Sequence, residues 1–199
     1  MKKIISLILI VILIISNIVL GYNLYTTKKN YKNEKQLAEN ANQLAFYSYC
    51  NSLSFVFKDL NDEIFEAGKE KEINSQYMKQ SIVKKIDRFV SVEQAILQLS
   101  ESDAQIYKVY SEGKFGLISE YFMTLGEVCR TDNSLDNEDI NILHQILDKT
   151  KMLGVYGESS KNYKKELDPE HHPLDKITAL YQDMGGLCNE GYERLKGKR

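Results

Sequence analysis

The residue types best suited to chemistry gather in one short stretch, where Asp168, Glu170, His171 and His172 lie between Leu167 and Pro173. Carboxylate oxygens and imidazole nitrogens are donors that a divalent cation accepts, and His144 and Asp148, one helical turn apart, offer two more. The spacing matches no zinc pattern. The chain has no His-Glu-x-x-His and no Cys-x-x-Cys, and adjacent histidines between prolines point in different directions. A two-metal bundle site would need Glu-x-x-His pairs, and none occurs. The stretch therefore reads first as an exposed loop, and a metal-dependent enzyme built on Asp168 to His172 stands as a minor alternative.

Cys50, Cys129 and Cys188 each fall on the apolar face of a separate helical stretch and read as small buried hydrophobes. In an oxidising space two of them could pair across facing helices, with all three pairings open. Nucleophilic use would need a polarising histidine, and the three histidines stand at 144, 171 and 172. Tyr107, Tyr110, Tyr121, Tyr156 and Tyr181 suggest an aromatic cleft for a small ligand or peptide. At helical spacing the same rings serve a core, with the hydroxyls at its rim. Neither a phosphate-cradling glycine loop nor a Ser-His-Asp motif is present. No catalytic, cofactor-binding or metal residue is assigned.

The elements that would position these groups are all helical. Two prolines in 199 residues disfavour a loop-rich fold, and apolar residues recur at three- and four-residue spacing. A first helix is expected to run to Ala67 with Phe46, Cys50, Leu53, Val56, Leu60 and Ile64 inward, ended by Gly68 and the run Lys69-Glu70-Lys71-Glu72. A second, capped by Asn74 or Ser75, carries Met78, Ile82, Ile86, Phe89, Ile96 and Leu99 on one face. A third, Ala104 to Arg130, turns Ile106, Tyr107, Tyr110, Leu117, Ile118, Tyr121, Leu125 and Val128 inward and should kink or break between Gly113 and Gly116.

After a polar connection from Thr131 to Asp136, a fourth helix capped by Asp136 or Asn137 carries Ile140, Leu143, Ile146, Leu147 and Leu153 and closes at Gly154 and Gly157. Glu158 to Glu166 suggests a short polar helix. The last helix, Leu174 to Lys196, buries Ile177, Leu180, Tyr181, Met184, Cys188 and Leu195, with Gly185 and Gly186 allowing close packing and Lys196, Lys198 and Arg199 at its negative end. Short connections between such helices predict an all-α fold, an antiparallel bundle of about four to five helices in residues 46–199.

The amino-terminal segment predicts a transmembrane helix. No charged residue occurs from Ile4 to Thr27, and 24 residues rise about 36 Å as a helix, enough for a hydrocarbon core of about 30 Å. Lys2 and Lys3 precede the run, while Tyr22 and Tyr25 suit the lipid-water boundary. Residues 1–27 then form a signal-anchor in contact with the lipid bilayer through residues 4–27, and residues 28–45 a juxtamembrane helical stalk. The competing reading is a secretory signal cleaved after Gly21, which would release the chain, although the apolar core exceeds the usual removable length. Lys28, Lys29, Lys32 and Lys35 argue for a cytoplasmic bundle on a plain charge count; the Lys-led leader argues for export, and export is expected.

This layout, from Lys2 to Tyr25 and through the helix order, resembles the extracytoplasmic helical parts of bacterial single-pass envelope proteins, including the amino-terminal part of the YpeB-type spore-germination family. The resemblance is architectural, shares no motif and transfers no residue role. Bundle-type chemoreceptor sensor domains look similar too, but they return through the membrane. With 26 Lys and Arg against 28 Asp and Glu, no basic excess exists for nucleic acid. The expected function is a non-enzymatic interaction or scaffold protein of the cell envelope with a protein partner; the alternative is an extracytoplasmic ligand- or peptide-binding sensor module.

Overall fold

The computed structural model describes the backbone of residues 2–68, 70–159 and 173–199, and their side chains apart from 2–12, 14, 71, 151–159 and 173. The elements are α1 (Lys2–Ala67), α2 (Glu70–Ile73), α3 (Gln76–Ser102), α4 (Ala104–Glu112), α5 (Phe115–Arg130), α6 (Asn137–Ser159) and α7 (Pro173–Lys196). The fold is all-α, with no strand among the described residues. The chain divides into two compact units, residues 1–41 and 42–199.

In the first unit α1 is unbroken, and its described apolar side chains, from Leu13 through Tyr25, are exposed. Much of the apolar run lies in residues 4–12 and 14, outside the described side chains. Among the described residues no helix is long and apolar enough to cross a membrane.

The second unit is a helical bundle whose sequential long helices alternate in direction. Asn42 reaches Ser102 while Glu63 reaches Lys85, so α1 and α3 run antiparallel. Arg130 reaches Asp87 while Phe122 packs against Phe89, which turns α5 against α3. Lys149 pairs with Asp183 and Asp139 with Arg194, which turns α7 against α6. Phe57, Phe89 and Phe122 meet with ring centroids 5.0–5.6 Å apart, and Phe115 packs edge-on to Tyr181 at 4.8 Å. Rings from α1, α3, α5 and α7 thus form one continuous core, the burial that holds helices with little else to stabilise them.

Local chemistry sets the helix ends. Gly68 takes a left-handed φ of 61° after Ala67, a conformation that costs glycine nothing. The charged run beyond it does not simply end the helix: Glu70–Ile73 makes a single turn that drops Ile73 into the core. Ser75 caps α3 by accepting from the Met78 N–H, and Asp103 caps α4 by accepting from Gln105 and Ile106. The expected break in the third stretch falls at Gly113 and Lys114, where Lys114 itself is left-handed at φ 55°. Gly116 stays inside α5. Upstream of that reversal Val109 is buried and Tyr107 exposed; downstream of it Phe115 and Phe122 are buried and Leu117 half-buried. On α1 Phe57 is buried as well, and Val56 is half-buried against the core.

Helix α6 runs through Gly154 and Gly157 to Ser159 and does not close at them, because glycine weakens a helix but ends it only where the backbone turns left-handed. Of the short polar helix expected over 158–166, residues 160–166 lie outside the described residues. Pro173 opens α7 at the position where a missing N–H costs nothing.

Candidate functional site

The Asp168–His172 cluster, with Tyr156 and Leu153, lies outside the described residues or side chains. His144 is half-buried and Asp148 exposed on α6. Among the described residues no group of three His, Cys, Asp or Glu side chains lies close enough to hold a metal ion.

The three cysteines are free and buried on three helices. Cys50 Sγ lies 3.7 Å from the Tyr181 hydroxyl. Burial pushes the Cys50 and Cys129 thiols up to about 12 and raises Cys188 as well, so the thiolate that would attack or ligate is suppressed in each. Native protein at pH 8 should therefore resist a thiol reagent such as dithionitrobenzoate. Denaturant should release three equivalents; rapid labelling before unfolding would contradict this packing.

The tyrosines separate. Tyr121 and Tyr181 are core residues whose hydroxyls are raised well above their usual value, first by burial. Tyr107 is exposed. Tyr110 donates to Glu93 at 3.1 Å, and burial followed by the Glu93 charge pushes its hydroxyl up to about 12. Three surface clefts, one of about 690 Å³ between α3 and residues 129–134, have no aromatic ring in their walls. None of these three clefts is lined by a tyrosine.

Two polar arrangements were not expected. Asn74 donates to the Leu135 carbonyl at 2.7 Å and accepts from the Leu135 N–H at 2.8 Å, pinning buried Leu135 in what reads as a polar connection. Asn74→Ala should cost about 2 kcal/mol, from two hydrogen bonds and the groups left unpaired; a shift in urea midpoint checks it.

The second stands at the start of α6. Asp136 Oδ1 accepts from the N–H groups of Glu138 and Asp139, and its own N–H donates to Asp139 Oδ2 at 2.9 Å. This is a reciprocal capping box with aspartate in the third position. Arg194 from α7 donates to Asp136 and Asp139 and pairs with Glu138 at 2.7 Å, and Lys198 bridges Asp136 and Asp139. Arg199 pairs with Glu127 and donates to buried Thr124 at 3.1 Å. Lys198 and Arg199 therefore bind the start of α6 and the side of α5 rather than the end of their own helix. Lys196 lies over the Tyr192 ring, 5.6 Å from its centroid.

Three carboxylates thus face two cations, and the cluster works as a clasp between α6 and α7. Comparison with protein-family models, curated proteins and solved structures finds no match to the chain.

Proposed function

We propose that the chain is a single-pass, membrane-anchored helical bundle of a bacterial-type cell envelope that acts by binding another envelope protein, without catalysis. The observation that carries the reading is the unbroken α1, uncharged from Ile4 to Thr27, with its described apolar side chains exposed on every side. A helix apolar all round is unstable in water and suits hydrocarbon. The bundle then supplies contact surface rather than chemistry: its cysteines are inert, and its densest charge cluster is internally paired. Phe65 and Tyr77 on its surface are each about three-quarters exposed, the kind of ring that anchors a protein interface.

The test is alkaline carbonate extraction of membranes, with protease shaving of spheroplasts that carry a carboxy-terminal tag. Retention in the membrane and loss of the tag before lysis are the expected results. Release by carbonate would defeat the anchor, and protection of the tag until lysis would place the bundle on the cytoplasmic side.

A further inference from the structure

The exposed segment of α1 is not uniform around its axis. At 100° per residue, Leu13, Asn17, Leu20, Leu24, Thr27 and Tyr31 fall within about 40° of one line, alternately four and three residues apart. That alternation is the repeat of a two-helix seam, with Asn17 set between leucines. Ile15, Ile18, Val19, Tyr22 and Tyr25 occupy the opposite side, and both faces are exposed.

Asn17 stands within about 3 Å, along the helix, of the midpoint of the uncharged run from Ile4 to Thr27. Its carboxamide has donors and an acceptor, and among the described residues nothing bonds to it. Lipid tails provide neither group. A second carboxamide at the same depth provides both, and a parallel copy of the helix places one there by symmetry. Resting on the membrane reading above, we infer that α1 pairs with a second copy of itself in the bilayer through this seam, the two Asn17 side chains hydrogen-bonding to each other. Lys35 comes next within the same 40°, where two copies would set like charges together, so the seam ends at Tyr31. Tyr22 and Tyr25 then face lipid, at the depth where amphipathic rings anchor a helix.

The full chain in phosphatidylethanolamine–phosphatidylglycerol vesicles tests the pairing. Single replacements Leu13→Cys, Leu20→Cys and Leu24→Cys should give disulfide-linked dimers on oxidation with copper phenanthroline. Ile18→Cys and Tyr22→Cys should stay near the background of the unmodified chain, whose own thiols are buried. Adding Asn17→Leu should weaken pairing about tenfold on dilution in lipid, the scale of interhelical hydrogen bonds in membranes, whereas Asn17→Gln should retain most of it. Equal cross-linking on both faces, no dimer, or indifference to Asn17→Leu, in chains that resist carbonate, would overturn the seam alone. Carbonate release of the unmodified chain would overturn the anchor and the seam with it.

Discussion

Gly191→Ala is expected to destabilise the bundle by about 2–3 kcal/mol, although alanine is the better helix former by about 1 kcal/mol. A Cβ at this position would stand 2.4 Å from Tyr121 Cε2, 2.9 Å from Tyr121 Cδ2 and 3.1 Å from Ile142 Cγ2. The Tyr121 ring cannot retreat: it is fully buried, with the Phe122 ring 5.2 Å away and edge-on. Helix α7 must then move off α5 and α6, giving up packing along its length. Gly186→Ala in the same helix is the control, because nothing lies within 4 Å of the added methyl. It should gain up to about 1 kcal/mol from propensity alone. Urea denaturation of the two variants should move the midpoint in opposite directions. A Gly191→Ala, Tyr121→Leu double variant should be less destabilised than the sum of the singles, since removing the ring edge removes the clash.

That contrast shows what the sequence makes legible. The paired glycines at 185 and 186 draw attention as a packing site, yet Gly186 is open and Gly185 meets only the Lys114 side chain, at 3.3 Å. The close approach is at Gly191, and only the positions of Tyr121 and Ile142, on other helices, reveal it. Helix order and most inward residues follow from short-range spacing, and residue type narrows two caps to Asn74 or Ser75 and to Asp136 or Asn137, of which Ser75 and Asp136 are used. Glu93 is the converse case. It falls in register with Ile86, Phe89 and Ile96 and is buried, but a carboxylate reads as outward until Tyr110 arrives from α4 to bond it. The left-handed turn at Lys114 is equally hidden, since two neighbouring glycines are better candidates by conformational freedom. Asn74 and Leu135 are 61 residues apart, so no local pattern links them. The free cysteines needed only their place on the apolar faces to be read correctly as buried.

Asp139→Ala should cost about 3 kcal/mol, the scale for removing one member of a buried ionic group. Its side chain is only 2% exposed and accepts from Arg194 Nε at 3.2 Å, from Lys198 and from the Asp136 N–H, so truncation strands donors from two helices at once. Asp136 and Glu138 remain to hold the cations in part, and Asp139→Asn, which keeps an acceptor oxygen, should lose about half as much. Asp183→Ala, removing an exposed pair with Lys149 at 3.5 Å, should change stability by less than about 0.5 kcal/mol.

The clasp also contributes to the response to pH. The Lys198 hydrogen bond, then that from the Asp139 N–H, hold the Asp136 carboxyl well below the usual range. Its contribution is complete above the unfolded value of about 3.9 and is lost as pH falls from there through the lower folded value. Burial pulls the Lys198 ammonium down, but its bonds to Asp136 and Asp139 outweigh burial and raise it above the ordinary 10.5. Its contribution is therefore complete below that value and lost as pH rises through the folded one. Urea midpoints should accordingly form a plateau between about pH 5 and 8, because above about pH 8.5 the thiols of Cys50, Cys129 and Cys188 ionise in the unfolded chain while burial keeps them protonated in the fold, and the loss of the Lys198 contribution adds to that limb above about pH 10. Asp136→Asn should make the acid limb shallower, and Lys198→Met should do the same to the alkaline limb; unchanged limbs in both variants would mean that the charges at the start of α6 are not coupled to folding.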